Sequence, residues 1–166
     1  IDRRWKLFKR GYRVLDLGCA PGSWLQYIAT RVGAKGLVLG YDLKPCTVTL
    51  PAHAQALVGD VNSLNPDELG GLFDVVCSDM APATMGQPAT DALRSAVLAQ
   101  CALDVARQHL LAGGSTVVKV LEGGEVPDLV AGMKRCYTKV ERLRPKATRK
   151  QSTEIFLVGL GIERGS

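Results

Sequence analysis

The sequence lacks a long apolar run, and it lacks a leader in which a basic start is followed by an apolar stretch. A helix that crosses a bilayer needs about 20 consecutive apolar residues, and a secretory leader needs both of its parts. We therefore expect a soluble protein that is not exported and that acts in the cytoplasm or in an organelle matrix.

Cysteine pairs with metal-binding spacing are also absent. None of the five cysteines belongs to a C-x-x-C pair, and most lie within apolar runs, as reduced core thiols do. They are Cys19, Cys46, Cys77, Cys101 and Cys136. The two histidines, His53 and His109, have no neighbouring ligand pattern either. The sequence thus predicts neither a metal site nor a structural disulfide.

Two common nucleotide-binding signatures are missing as well. Gly18 and Gly22 follow the first apolar run with the spacing G-x-x-x-G, which differs from the G-x-G-x-x-G of dinucleotide-binding proteins. No Lys-Ser or Lys-Thr pair follows these glycines, as a phosphate loop would require. NAD and ATP are therefore not expected as ligands.

What the chain does contain is a strand, a tight turn and a helix over residues 14–32. The apolar run at 14–17 is followed by the glycine-bearing turn, and helical spacing begins near Trp24. Gly18 and Gly22 can adopt positive φ and let a ligand approach the backbone, while the first turn of the helix offers free N–H groups. The turn suits a nucleotide-like ligand, although an ordinary strand–turn–helix connection has the same pattern.

Four predicted strands end in an aspartate, at Asp16, Asp42, Asp60 and Asp79. The carboxyl ends of parallel strands line the ligand crevice of an open sheet, and an acid there can accept the hydroxyls of a ribose. By position, Asp42 would bind the ribose, Asp60 the exocyclic amine of an adenine, and Asp79 would lie beside the reacting group. Acids that cap turns are the structural alternative for each. The repeated pattern favours a ligand that contains adenosine.

Alternating strand and helix patterns predict an α/β fold. Strands are expected at 12–17, 37–41, 55–58, 73–78, 115–120, 138–143 and 154–160, and helices at 22–32, 66–70, 90–111 and 125–135. This order predicts a mostly parallel, doubly wound, seven-stranded sheet with helices on both faces. The link at 144–153 is too short for a crossover helix, so the last two strands should form an antiparallel pair at the sheet edge. With 166 residues, 46% of them hydrophobic, we expect a single domain over residues 1–166.

The positive charge is concentrated in two blocks. Residues 1–13 and 134–150 together hold fourteen of the 21 Lys and Arg residues, whereas the segment 14–133 is net acidic. The blocks consist of Arg3, Arg4, Lys6, Lys9, Arg10 and Arg13, and of Lys134, Arg135, Lys139, Arg142, Arg144, Lys146, Arg149 and Lys150. This distribution favours a polyanionic partner bound on one face, and nucleic acid fits it. A merely solvated charged surface is the alternative.

Four segments resemble the FtsJ/RrmJ family of RNA 2′-O-ribose methyltransferases. They are 16–24 (D-L-G-C-A-P-G-S-W), 78–82 (S-D-M-A-P), 113–120 (G-G-S-T-V-V-K-V) and 149–154 (R-K-Q-S-T-E). The resemblance implies a Rossmann-like methyltransferase fold, S-adenosylmethionine as the cofactor, and a uridine 2′-hydroxyl of large-subunit ribosomal RNA as the substrate. It also implies which residues bind the cofactor: Gly18, Pro21, Gly22, Trp24, Asp42, Asp60 and Asp79. Trp24 could stack on a base or pack under the first helix, and Tyr27 and Ile28 beside it favour core packing as its main role.

The family resembled here has a Lys-Asp-Lys-Glu tetrad at its reaction centre. Three members match Asp79, Lys119 and Glu154. The first lysine belongs to a helix upstream of the segment that residues 6–11 resemble, so Lys6 does not match it. We therefore expect that this sequence begins after an N-terminal segment that carries this lysine.

The chemistry of a 2′-hydroxyl leaves two roles open for Lys119. The hydroxyl must be aligned with the methyl group, and its proton must be removed or oriented. A neutral Lys119 would act as the base, and a charged one would orient the hydroxyl while the proton leaves late; nearby carboxylates favour the charged form. The sequence alone does not decide between these roles.

The sequence therefore predicts a 2′-O-methyltransferase of ribosomal RNA that acts as a monomer. Its relatives that methylate transfer RNA or the mRNA cap are the nearest alternative. An inactive RNA- or ribosome-binding module of the same fold is a second alternative, and the absence of the first lysine is its support. A small-molecule methyltransferase is a third, but such an enzyme has no need of the two basic blocks.

Overall fold

A computed structural model describes residues 2–64, 66–145 and 153–163. The helices are α1 (Asp2–Trp5), α2 (Ser23–Val32), α3 (Pro66–Leu69), α4 (Pro88–His109) and α5 (Val126–Lys134). The strands are β1 (Arg13–Leu17), β2 (Leu37–Asp42), β3 (Ala54–Val58), β4 (Phe73–Ser78), β5 (Leu110–Leu121), β6 (Tyr137–Leu143) and β7 (Glu154–Ile162). A single 3₁₀ turn, Val61–Ser63, follows β3.

In this part of the chain seven strands form one sheet in the order β3-β2-β1-β4-β5-β7-β6. β1 to β5 pair in parallel. β7 is antiparallel to both of its neighbours, β5 and β6. The predicted α/β fold and its antiparallel pair near the edge are confirmed. The strand that runs against the rest is β7, which lies inside the sheet, while β6 forms the edge.

Two apolar cores cover the two faces of the sheet. On one face, Leu15 and Leu17 pack with residues of α4 and α5. On the other face, Val14 packs with α2, whose buried residues Leu25, Ile28, Ala29 and Val32 follow the spacing of one helical stripe. Since both faces are covered, the ends of the strands are the places where a ligand can reach the sheet.

The boundary between α4 and β5 differs from the prediction. The helix ends at His109 instead of residue 111, and the strand begins at Leu110 instead of residue 115. Leu110 is fully buried and pairs with Phe73, and the register then shifts before Ser115 pairs with Val75. The glycine-rich segment between them interrupts the alternation of apolar and polar residues that indicates a strand, so the first part of β5 is not predicted from the sequence.

The short helix α1, which the sequence pattern did not predict, is held to α2 through Asp2. The buried carboxylate of Asp2 accepts hydrogen bonds from the Phe8 N–H, the Tyr27 hydroxyl and Arg31 Nε. Burial of Asp2 opposes its charge, but these hydrogen bonds and the Arg31 charge outweigh burial and lower the pKa of Asp2. The N-terminal segment is thereby fixed against the α2 face of the sheet.

No helix of the described residues is long and apolar enough to span a membrane.

Candidate active site

A crevice of about 440 Å³ opens where the parallel strands end. Its volume lies within the range of about 300 to 1,000 Å³ that is usual for small-molecule sites. The residues that line it are Gly18, Ala20, Asp42, Leu43, Lys44, Asp60, Val61, Asn62, Asp79, Met80, Ala81, Leu98 and Cys101. The sequence-predicted cofactor residues Gly18, Asp42, Asp60 and Asp79 are therefore brought together by the ends of four different strands.

Gly18 forms the turn where β1 ends. Its φ is +76°, and an added Cβ would lie 2.8 Å from the Met80 backbone nitrogen. The Gly18 N–H donates to the Tyr41 carbonyl, and the Asp79 N–H donates to the Leu17 carbonyl. Only glycine fits this position, because the chain from β1 and the chain from β4 approach each other here.

The carboxylate of Asp42 is held by two backbone donors. Oδ2 accepts the Ala20 N–H at 2.9 Å, and Oδ1 accepts the Lys44 N–H at 2.9 Å. Each oxygen keeps a further lone pair, so the carboxylate can still accept hydroxyl groups from a ligand. Asp42 thus connects the glycine turn after β1 to the end of β2.

The far side of the crevice contains residues that the sequence analysis did not single out. Asp60 Oδ1 accepts hydrogen bonds from the backbone and the side-chain nitrogen of Asn62. Cys101 Sγ lies 3.4 Å from Asn62 Oδ1, and Leu98 stands one helical turn before Cys101 on α4. The spacing of Leu98 and Cys101 is a signal for a shared helix face, but α4 has many such pairs, so the sequence cannot say which one faces a ligand.

Three residues that the family resemblance assigned to the cofactor do not line this crevice: Pro21, Gly22 and Trp24. The Pro21 carbonyl accepts the Thr47 N–H, and Gly22 faces Val48 so closely that an added Cβ would lie 2.2 Å from it. Trp24 stacks on the Phe156 ring, with centroids 5.7 Å apart. These contacts give the three residues a role in shaping the turn and the core beside the crevice.

Lys119 lies on β5, near the end of the sheet where the crevice opens. Its Nζ lies 2.9 Å from Asp79 Oδ1 and 3.5 Å from Glu154 Oε1. The Lys119 side chain is 13% exposed, against 34% for Asp79 and 40% for Glu154. The structure therefore assembles the three tetrad residues that the sequence contains, with the ammonium group largely shielded and its two carboxylates open to a ligand.

Asp16 differs from the other three strand-end aspartates because it is completely buried. Its Oδ2 has no hydrogen-bond partner within the described residues, and its Oδ1 accepts a weak bond from Cys77 Sγ at 3.6 Å. Burial raises the pKa of Asp16 to about 8, and the charges of Asp79 and Asp42 add to that effect. Asp16 thus lies beneath the crevice as a neutral acid and is not part of its wall.

The prediction of one basic face is corrected by the structure. Arg13 lies at the start of β1, where its guanidinium donates to the carbonyls of Leu69, Gly70 and Leu72. Lys134 and Arg135 end the helix that returns the chain to the start of β6. All three residues lie at the end of the sheet opposite the crevice, because the parallel strands begin at that end.

Other basic residues remain on the crevice side. Arg142 and Arg144 near the end of β6 both pair with Glu122, which follows β5. Arg4 of α1 lies 3.7 Å from Glu141 and so connects the N-terminal block to β6. Lys146, Arg149 and Lys150, and most of the segment 149–154, lie outside the described residues.

A metal centre has no support in the described ranges, which contain no group of three or more His, Cys, Asp or Glu side chains placed to hold an ion. All five cysteines are free thiols.

Comparisons with known proteins agree on one family. A family model described as FtsJ-like methyltransferase matches residues 1–162. A protein from Desulfatibacillum aliphaticivorans named ribosomal RNA large subunit methyltransferase E is 45% identical over 100% of this chain and 82% of its own length. A protein of the same name from Bdellovibrio bacteriovorus is 46% identical over 96% of this chain and 84% of its own length.

Solved structures share the fold. A crystal structure from Plasmodium falciparum, described as that of a ribosomal RNA methyltransferase, has a TM-score of 0.86 at 25% identity and covers 97% of this chain and 92% of its own. Human methyltransferase-like protein 13, solved in complex with SAH, has a TM-score of 0.70 at 14% identity over 94% of this chain and 78% of its own, which shows the fold alone. The resemblance drawn from the four sequence segments is confirmed, and the chain belongs to the FtsJ-like methyltransferase family.

Proposed function

We propose that this methyltransferase transfers a methyl group to a ribose 2′-hydroxyl, on a uridine, in large-subunit ribosomal RNA. Membership of the family makes it a methyltransferase that uses S-adenosylmethionine. Its relatives are named as ribosomal RNA large subunit methyltransferases, which supports the RNA substrate. The observation that carries the proposal is the position of Lys119, 2.9 Å from an aspartate that also lines the crevice.

The residues of the crevice fit S-adenosylmethionine. Its ribose hydroxyls suit Asp42, whose carboxylate is already oriented by two backbone donors. Its adenine suits the side formed by Asp60, which can accept an exocyclic amine, and by the apolar Leu98. When bound, the cofactor supplies an electrophilic methyl group on a sulfonium centre. Asp79, which lines the crevice and contacts Lys119, connects the cofactor side of the site to the hydroxyl to be methylated.

Of the two roles left open for Lys119, the geometry favours the orienting one. A carboxylate oxygen of Asp79 and one of Glu154 lie within 3.5 Å of Nζ and fix the direction in which the lysine side chain points. An ammonium group can donate a hydrogen bond to the 2′-oxygen and stabilise the negative charge that develops as the proton leaves. In this arrangement Asp79 and Glu154 hold Lys119 in place, so that its remaining N–H can point at the hydroxyl.

Three further expectations belong to the same proposal. Residues 1–166 act as one domain, the enzyme works as a monomer, and it meets its substrate in the cytoplasm, where ribosomal subunits are assembled.

The test is methyl transfer from labelled S-adenosylmethionine to large ribosomal subunits that lack the modification. Label should enter the RNA in a form that protects the adjacent phosphodiester from alkali, since a methylated 2′-oxygen cannot attack it. Lys119→Ala should abolish transfer while cofactor binding persists. Lys35→Ala is the matched control, because Lys35 is an exposed lysine just before β2, at the end of the sheet where the parallel strands begin.

A second form of the chain makes a negative result informative. The chain is extended at residue 1 by a helical segment chosen to carry a lysine at the upstream position that the family resemblance implies. Transfer by the extended chain that is lost with Lys119→Ala supports the proposal. Cofactor binding without transfer in both forms contradicts it and supports an RNA-binding module instead.

A further inference from the structure

Two thiols meet beside the cofactor crevice. Cys19 belongs to the turn after β1, directly after Gly18, and Cys46 belongs to the segment that follows β2, four residues after Asp42. Their sulfur atoms are 3.5 Å apart. The family resemblance assigns no role to either thiol, and neither lines the crevice.

The surroundings of the pair keep the two sulfurs together. The Thr47 N–H donates to the Pro21 carbonyl, and the Val48 side chain packs against Gly22. Cys19 is also confined from behind, since a Cβ added to Gly40 would lie 2.7 Å from its Sγ. The contact is therefore fixed by backbone and packing on both sides.

The two thiols differ in access and reactivity. Cys19 is 3% exposed, whereas Cys46 is partly exposed. Burial raises the pKa of Cys19, and the hydrogen bond with Cys46 and the charge of Asp42 act in the same direction. An oxidant reaches Cys46 first because Cys46 is the more exposed of the two thiols, and Cys19 is held next to it as the second thiol.

We propose that Cys19 and Cys46 form a peroxide-sensitive site that links as a disulfide and lowers the affinity of the enzyme for its cofactor. Hydrogen peroxide converts the Cys46 thiol to a sulfenic acid and leaves as water. The Cys19 sulfur then attacks the Cys46 sulfur, the S–O bond breaks, and a second water carries away the hydroxyl group together with the Cys19 proton. The two thiols lose two electrons in total, and the peroxide gains them; a thiol reductant reverses the change.

The consequence for the crevice follows from the distance that must be closed. A disulfide has an S–S length of about 2.05 Å, so the two sulfurs must approach by about 1.5 Å. Cys19 lies between Gly18 and Ala20, which both line the crevice, and the Ala20 N–H is one of the two donors that orient Asp42. Pulling Cys19 toward Cys46 disturbs this donor and the close contact of Gly18 with Met80. The linked form should therefore bind S-adenosylmethionine less tightly.

The experiment measures the linkage and the binding separately. The full chain is treated with hydrogen peroxide, digested without reduction, and searched by mass spectrometry for a peptide pair joined through Cys19 and Cys46. The dissociation constant for S-adenosylmethionine is measured by calorimetry before oxidation, after it, and after a thiol reductant. We expect the joined peptides, at least about a fivefold weaker affinity (about 1 kcal/mol of binding free energy), and recovery on reduction.

Cys46→Ser and Cys46→Ala are the matched variants. Both remove the partner thiol and keep Cys101, which lines the crevice and can itself be oxidised. They should bind the cofactor as the reduced wild type does and should not respond to peroxide. Absence of the joined peptides overturns the proposal, and so does joined protein whose affinity is unchanged. If peroxide weakened cofactor binding equally in the Cys46 variants, the effect would belong to another thiol, and the proposal would also be overturned. The readout is cofactor binding, so this result is independent of the RNA substrate.

Discussion

The Nζ of Lys119 and the Oδ1 of Asp79 are 2.9 Å apart, and this contact joins the ends of two neighbouring parallel strands. Glu154 reaches the same ammonium group from β7 at 3.5 Å. The two carboxylates are not equivalent, because Asp79 also lines the crevice and Glu154 does not. Asp79 therefore contacts both the lysine and the cofactor crevice, whereas Glu154 contacts the lysine from outside that crevice.

The first prediction separates the two acids. Glu154→Gln should lower kcat by about tenfold, since it removes one of the two charges that hold Lys119, and should leave the affinity for S-adenosylmethionine unchanged; a tenfold effect corresponds to about 1.4 kcal/mol. Asp79→Asn should lower kcat and weaken cofactor binding together. Single-turnover transfer and calorimetry measure the two quantities. Equal loss of cofactor affinity in both variants would contradict the assignment.

The second prediction compares two glycines with positive φ. Gly11 has φ +83° and no atom within 4 Å of an added Cβ, so Gly11→Ala should cost only the left-handed strain of about 1–2 kcal/mol in the free energy of unfolding. Gly18→Ala adds a clash with the Met80 backbone, and such overpacking costs about 1–3 kcal/mol more. Gly18→Ala should also weaken cofactor binding. Urea unfolding and calorimetry test both effects, and similar results for the two variants would show that the close approach to Met80 has no influence.

The crevice could be anticipated because its residues follow from strand ends. Gly18, Asp42, Asp60 and Asp79 each come directly after or at the end of an apolar run, and a parallel sheet gathers all such positions at one edge. Lys119 and Glu154 come within reach of each other because β5 and β7 pair antiparallel, with Glu154 opposite Leu121, two residues beyond Lys119 on β5. The sequence implies this pairing only through the short link before β7. The sequence pattern around a residue is sufficient to place that residue in the crevice wherever its position follows from the sheet alone.

The parts that were missed depend on long-range packing. Asp16 has the same local pattern as Asp42, yet it is buried, and no neighbouring residue in the sequence indicates this. Core packing of Trp24 follows from its neighbours in the sequence, but its stacking partner Phe156 does not, because the two residues are far apart in the chain. The two basic blocks predict a single basic face because the order of charges along the sequence does not show at which end of a strand each residue lies. Arg13 and Lys134 show the difference.

The third prediction concerns the RNA-binding surface. Arg142 and Arg144 lie near the crevice end of β6, whereas Lys134 and Arg135 lie at the opposite edge. Arg142→Gln with Arg144→Gln should weaken RNA binding and reduce the slope of log K against log salt by about one to two, since each lost phosphate contact contributes about 0.7–0.9.

The matched control is Lys134→Gln with Arg135→Gln, which removes the same charge from the far edge. It should change neither affinity nor slope by more than a small fraction. Binding is measured at several salt concentrations with a ribosomal RNA fragment. Equal effects of the two double variants would mean that net charge alone, and not the placement near the crevice, determines RNA binding.

The fourth prediction is a pH dependence of stability that comes from Asp16. Its pKa is about 8 in the folded chain, against the ordinary aspartate value of 3.8 that applies to the unfolded chain. Between these values the folded state keeps a proton that the unfolded state has lost, so the stabilisation is fully present below the unfolded pKa and declines as pH rises toward the folded pKa.

The free energy of unfolding should fall by up to about 1.4 kcal/mol per pH unit relative to Asp16→Asn, which cannot titrate, and the difference should level off above about pH 8. Urea unfolding from about pH 5 to about pH 9 measures this difference, and the substitution Asp104→Asn at an exposed aspartate is the control. A constant difference between the wild type and Asp16→Asn over that interval would show that Asp16 is already ionised in the folded state and would contradict the prediction.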